Sequence, residues 1–173
     1  MKADELRARQ APFKQRYAQD PTAALITLSA RSRLSDGIAC KVETGKALVE
    51  AGLHAATGGD GIHACSGDML LEALCACAGV TLNAVATALG VELRDATVTA
   101  EGDLDFRGTL GVGKEAPVGF QALRMRFELD TDAPPELVDK LLSLTERYCV
   151  VLQTLRHAPL VQLSQSRGVR GPA

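Results

Sequence analysis

From Ser66 to Leu89 the chain reads SGDMLLEALCACAGVTLNAVATAL, with Asp68 and Glu72 as its only charges. Neither Pro nor a strand-like alternation interrupts this run, so it reads as one long helix. Ser66 is placed to cap it, Asp68 suits the positive end of its dipole, and Gly90 ends it. The helix is apolar nearly all round, and such a helix is stable in water only if most of its sides are covered. As a membrane span, the stretch from Leu70 to Leu89 is weakened by Glu72, Asn83 and its many small residues. A buried core helix is the expectation, and the rest of the chain must supply the cover.

That cover reads as an α+β arrangement. Residues 3–18 form a short amphipathic helix, with an interruption expected at Pro12. Ala23 to Leu34 and Ile38 to Thr44 alternate as two strands around the Ser35-Asp36-Gly37 turn. Residues 54–67 are a glycine-containing loop leading into the long helix. Glu92–Phe106 and Phe120–Leu129 are amphipathic strands joined by the link Gly108–Gly119. In the second, Leu123, Met125, Phe127 and Leu129 share one face, and Arg124, Arg126 and Glu128 the other. Pro134-Pro135 opens a helix running to about Leu155, Leu160–Leu163 reads as a last short strand, and residues 164–173 as a tail. One small sheet does not cover a helix that is apolar on all sides, so the pattern predicts a homodimer that sandwiches it.

Composition narrows the function classes. A net charge of -2 gives no basic surface for nucleic acid or anionic membranes. No Trp, four Phe and two Tyr leave little for base stacking. The N-terminus is charged and lacks an apolar leader, so a cytoplasmic protein is expected. Five cysteines (Cys40, Cys65, Cys75, Cys77, Cys149), an odd number with no secretory signal, argue against a structural disulfide framework. His54, His63, Cys65 and Cys75 match no zinc spacing, and Gly58-Gly59-Asp60-Gly61 lacks the Lys-Ser/Thr of a phosphate loop. No metal and no cofactor are expected.

The cysteines carry the remaining information. Cys77 lies in the long helix and Cys149 in the second apolar helical run. Both read either as inert core thiols or as a nucleophile with its resolving partner. Cys75 and Cys77 leave the helix about 200° apart, so only one of them is able to meet Cys149. Cys77 shares its stripe with Leu70, Leu74, Thr81 and Val85, and Cys75 with Asp68, Glu72 and Leu82. Neighbouring carboxylates raise a thiol's pKa, which disfavours Cys75 as a nucleophile without by itself deciding the matter.

The run from Gly67 to Leu82 resembles the central helix of the osmotically inducible protein C (OsmC) family, with Cys77 on the family's reactive cysteine. Glu146-Arg147-Tyr148-Cys149-Val150-Val151, followed by Thr154-Leu155, resembles the second motif, with Cys149 on the resolving cysteine. The resemblance extends over about residues 22–164, leaving residues 1–21 as an N-terminal helical extension and 165–173 as a tail. It implies antiparallel sheets packed around two long central helices in an intertwined homodimer. It also implies a cofactor-free thiol peroxidase for organic hydroperoxides, resolved as a Cys77–Cys149 disulfide and reduced by a dithiol donor such as a lipoyl protein. In the organic hydroperoxide resistance branch an Arg held by a Glu activates the reactive cysteine. Arg33 or Arg31 matches that Arg here, while the Glu position is Gly67 and Asp68 is the nearest acid. Val150 stands where the second motif usually has Pro. These departures motivate a second expectation, a non-catalytic module of the same fold that binds an apolar small molecule.

Overall fold

The long helix, α2 (Ser66–Leu89), is sandwiched between a sheet and a pair of shorter helices. The computed structural model describes residues 3–35, 39–43, 51–59, 61 and 64–165. Its sheet is built from β1 (Leu25–Ser35), β2 (Ala39–Glu43), β5 (Asp95–Asp105) and β6 (Phe120–Asp130), in the order β2-β1-β5-β6 and antiparallel throughout. The register runs from Leu25 opposite Asp105 to Arg33 opposite Thr97, and from Asp95 opposite Asp130 to Leu104 opposite Phe120. A bulge near Asp103 and Leu104 absorbs the extra residue of β6. A second, two-stranded parallel pairing joins β3 (Ala51–Gly52) to β4 (Ala64–Cys65) at the entrance to α2.

Alternation explains which face of the sheet meets the helix. Ala96, Val98, Ala100 and Leu104 of β5 are buried at every second position. On α2 the buried positions are Leu71, Leu74, Cys75, Ala78, Gly79, Leu82 and Ala86, spaced by three and four residues. The single chain supplies part of the expected cover. One stripe is sealed, whereas Ala73, Val80 and Thr87 are exposed. By length and composition α2 would cross a membrane, but it packs on β1 and β5.

Several local expectations are also revised. Helix α1 (Ala3–Gln19) continues past Pro12 without a break in its helical assignment. Cys65, rather than Ser66, is the N-cap residue of α2, and no side chain caps the helix there. Gly90 does end α2, in the left-handed conformation at φ +67°, where a residue without Cβ carries no strain. The link before β6 contains a short helix, α3 (Phe106–Leu110), begun by Asp105. The loop before α2 holds a 3-10 turn, Ala55–Thr57, closed by Gly58. The expected C-terminal helix is two helices, α4 (Pro135–Tyr148) and α5 (Val150–Arg156), parted at Cys149. Leu160–Leu163 forms no strand and is exposed. Among the described residues no strand pairs with it, and without a partner strand an extended segment has no ladder to join. Most of the expected tail, residues 166–173, lies outside the described residues.

Candidate active site

Cys149 sits at the break between α4 and α5 with an extended backbone, φ −70° and ψ 102°. Its N–H still bonds to the Thr145 carbonyl at 2.9 Å, and its carbonyl accepts from the Gln153 N–H at 2.9 Å. The break therefore leaves no backbone group unpaired at Cys149, yet it turns the thiol toward α2 at the start of a new helix. Thr145, one turn earlier and buried, satisfies its hydroxyl on the Leu141 carbonyl at 2.8 Å.

There the Cys149 thiol is close enough to that of Cys77 for the two to interact. Cys75, two positions away on α2, is fully buried and points its sulfur at the Val98 carbonyl of β5, 3.7 Å away. The opposite directions of the two side chains are those their helical spacing demands. The described cysteines Cys65, Cys75, Cys77 and Cys149 are all free thiols. Cys40 and His63 lie outside the residues whose side chains are described. Among the described residues no three His, Cys, Asp or Glu side chains gather into a metal-binding group.

The electrostatics of the pair are asymmetric. Burial above all pushes the Cys149 thiol up to about 11, and its hydrogen bond and charge interaction with Cys77 push the same way. The backbone N–H groups of Leu152 and Val151, at the start of α5, oppose this only in part. Cys149 is thus a protonated thiol at neutral pH and a hydrogen-bond donor to its neighbour.

Of the other expected site residues, Asp68 stands apart from this pair. Asp68 is nine residues before Cys77 on the same helix, about 13 Å along the axis and half a turn around. Its titratable neighbours among the described residues include His54 and Glu72. Burial raises the pKa of Asp68, partly opposed by His54, and burial followed by the Asp68 charge raises that of Glu72. His54 is fixed in turn: its Nδ1 accepts from the Ala56 N–H at 3.0 Å, and its ring stacks on Phe106 at 4.8 Å. Arg33 and Arg31 lie on β1 opposite Thr97 and Thr99, with side chains outside the described residues.

A cleft of about 590 Å³ lies between α2, β6, α4 and α5, with the fully buried Cys149 behind its wall. Its walls are mostly apolar, from Leu74 and Ala78 of α2 to Leu123, Met125, Phe127 and Leu152. Glu146 and Arg156, ion-paired to each other, form a polar rim. Sequence reading missed this rim, because Arg156 reads as an ordinary basic helix end. The available signal was spacing: Arg156 is seven residues, about two turns, after Cys149 and so on its face of α5.

With this geometry in hand, comparison with known proteins is direct. The family model of the OsmC-like proteins matches residues 58–164, more than half of the chain. The chain belongs to the OsmC-like family. Both cysteine helices fall inside the matched segment, and α1 precedes it. No curated protein matches the chain. Among solved structures, an OsmC-like hydroperoxide resistance protein from Jannaschia sp. CCS1 is similar, with a TM-score of 0.61. Their sequences are 18% identical, over 84% of this chain and 95% of that one. At that identity the likeness supports a shared OsmC-like fold and leaves the chemistry to the site itself.

Proposed function

We propose that this OsmC-like protein is a thiol-dependent peroxidase that reduces organic hydroperoxides in oxidative-stress defence. The observation that carries the reading is that Cys149, at the break between α4 and α5, interacts with Cys77 of α2. In the first step the Cys77 thiolate attacks the distal peroxide oxygen. The O–O bond breaks, Cys77 becomes a sulfenic acid, and the alkoxide leaves to be protonated as an alcohol. The Cys149 thiol then displaces the hydroxyl, giving the Cys77–Cys149 disulfide and water. A dithiol donor, such as a lipoyl protein, supplies the two electrons that restore the thiols.

The division of roles follows from the asymmetry. Cys149 is fully buried and its thiol is held at about 11, whereas Cys77 is partly exposed, so Cys77 is assigned to the attack on peroxide and Cys149, beside it, to the intramolecular resolving step. The apolar surroundings of the pair favour alkyl or lipid hydroperoxides over hydrogen peroxide. Arg33 on β1 is the cation we assign to activating Cys77, with Asp68 in support. We place the protein in the cytoplasm as a homodimer. The name of the Jannaschia structure, a hydroperoxide resistance protein, agrees with this reading.

The test is peroxide consumption with cumene hydroperoxide and dihydrolipoamide. Wild type is expected to turn over, and Cys77→Ser to lose at least ~10³-fold, the scale on which a displaced nucleophile is felt. Equal rates would overturn the assignment. A cleft of ligand size also motivates the second reading, a module that binds an apolar small molecule without chemistry. Native mass spectrometry separates the two: a co-purified ligand on a protein whose thiols resist peroxide favours binding alone.

A further inference from the structure

Helix α5 (Val150–Arg156) has seven residues and none of them is buried, yet it helps to seal the fully buried Cys149. Its first turn lies against that sulfur, close enough for the backbone N–H groups of Leu152 and Val151 to bond to it. A helix of this length has little stability of its own in water, because nucleation costs more than its few internal bonds return. Packing supplies only half-buried contacts. Leu152 and Leu155 line the apolar cleft, while Val150 is 70% exposed and Thr154 and Arg156 are exposed as well.

Two side-chain ties also hold α5, and both end on Glu146 of α4. The Gln153 Nε2 donates to the Glu146 carbonyl at 2.8 Å, and the Arg156 guanidinium pairs with the Glu146 carboxylate. These ties span Cys149, where the helical path is broken by a ψ of 102°. They draw the far end of α5 back beside the last turn of α4. The ion pair is half-exposed, 49% on Arg156 and 51% on Glu146, so water and salt compete for it.

We infer that Glu146, Gln153 and Arg156 form a surface latch on α5, and that its release swings α5 about Cys149 and uncovers this thiol to reagents in solution. The inference goes beyond the peroxidase reading: it assigns positioning residues for the buried thiol and stands equally for a binding module. With the latch closed, Cys149 is sealed from solvent and has Cys77 beside it, so what it reacts with is presented by Cys77 within the chain. With the latch open, the first turn of α5 leaves the sulfur and the thiol becomes accessible to external reagents. An exposed ion pair shifts such an equilibrium by a factor of about two to five, so the latch sets how often α5 opens.

The test is alkylation of Cys149 by N-ethylmaleimide in the full chain, read by peptide mass against time, in a Cys77→Ser background that removes the competing thiol. Cys75, equally buried but against β5, reports global unfolding in the same sample. Arg156→Gln is expected to raise the Cys149 rate about two- to fivefold with the Cys75 rate unchanged. Salt at about 1 M, where the screening length is roughly 3 Å, is expected to give the same rise with Arg156 present and none in Arg156→Gln. Either single charge reversal, Glu146→Arg or Arg156→Glu, should also raise the rate, and the double reversal should return it to the parent value. A Cys149 rate unmoved by Arg156→Gln overturns the inference. So does a rise that Cys75 shares, which marks loss of the whole fold, or a double reversal as fast as either single one.

Discussion

At the level of single residues, the half-buried carboxylates of α2 are the sharpest test of the electrostatics. Burial and the nearby Asp68 charge both raise the pKa of Glu72. A carboxyl whose folded pKa is raised favours the native state at low pH, where it is protonated, and that contribution is lost as pH rises through the folded value. Glu72→Gln is therefore expected to raise the melting temperature at pH 7. The gain should shrink toward zero as pH falls below the ordinary carboxyl value of 4.5. Thermal melts of both proteins from pH 3.5 to 8 check this, and a gain that stayed constant with pH would contradict it. The same scale shows what was readable in advance. The 200° between Cys75 and Cys77 is visible in any helical run, so a division of labour between them was legible. That Cys149 meets Cys77 rested on family resemblance, because helical spacing fixes directions and says nothing of which neighbour lies there. The neighbours of Asp68 were illegible, since His54 reaches it through a loop whose path no periodicity encodes.

Among the elements, α1 shows how an extension is tied down. Tyr17 is 2% exposed, and its hydroxyl donates to the Ala56 carbonyl at 2.8 Å, binding α1 to the loop that leads into α2. Tyr17→Phe leaves that carbonyl without its donor. It should cost about 1 kcal/mol, or about 3 °C in melting temperature for a chain of this size. A tighter constraint lies in the same loop. A Cβ on Gly59 would fall 1.7 Å from the Leu53 carbonyl oxygen, which no side-chain adjustment relieves. Gly59→Ala is expected to lower the melting temperature well beyond Tyr17→Phe, and a smaller loss in calorimetry would show that the loop rebuilds at little cost. The strands β1, β5 and β6 and the helix α2 were legible because their periodicity is long and regular. The division of α4 from α5 was not. Family members usually mark that point with a Pro, whose ring suits the first position of a helix, but Val150 takes this position here and leaves no local signal.

For the whole molecule, the decisive quantity is surface. Much of what α2 and the cleft show to water is apolar: Val80 is 39% exposed and Leu123 36%, with Met125 and Phe127 only half-buried beside it. A helix this apolar with one sealed stripe is a stable arrangement only if something covers another. A second copy of the chain is the cover consistent with the sequence, as an apolar face that recurs on each copy is self-complementary about a two-fold axis. Sedimentation velocity at tens of micromolar is therefore expected to give a dimer of the 173-residue chain. Val80→Glu, which sets a charge on each copy's exposed α2 face, should shift it toward monomer with the fold retained by circular dichroism. It should also leave Cys77 more readily alkylated, because that thiol borders the same face. A wild-type protein that sediments as a monomer, or a Val80→Glu dimer as tight as wild type, would place the interface elsewhere and leave the open side of α2 to a different partner.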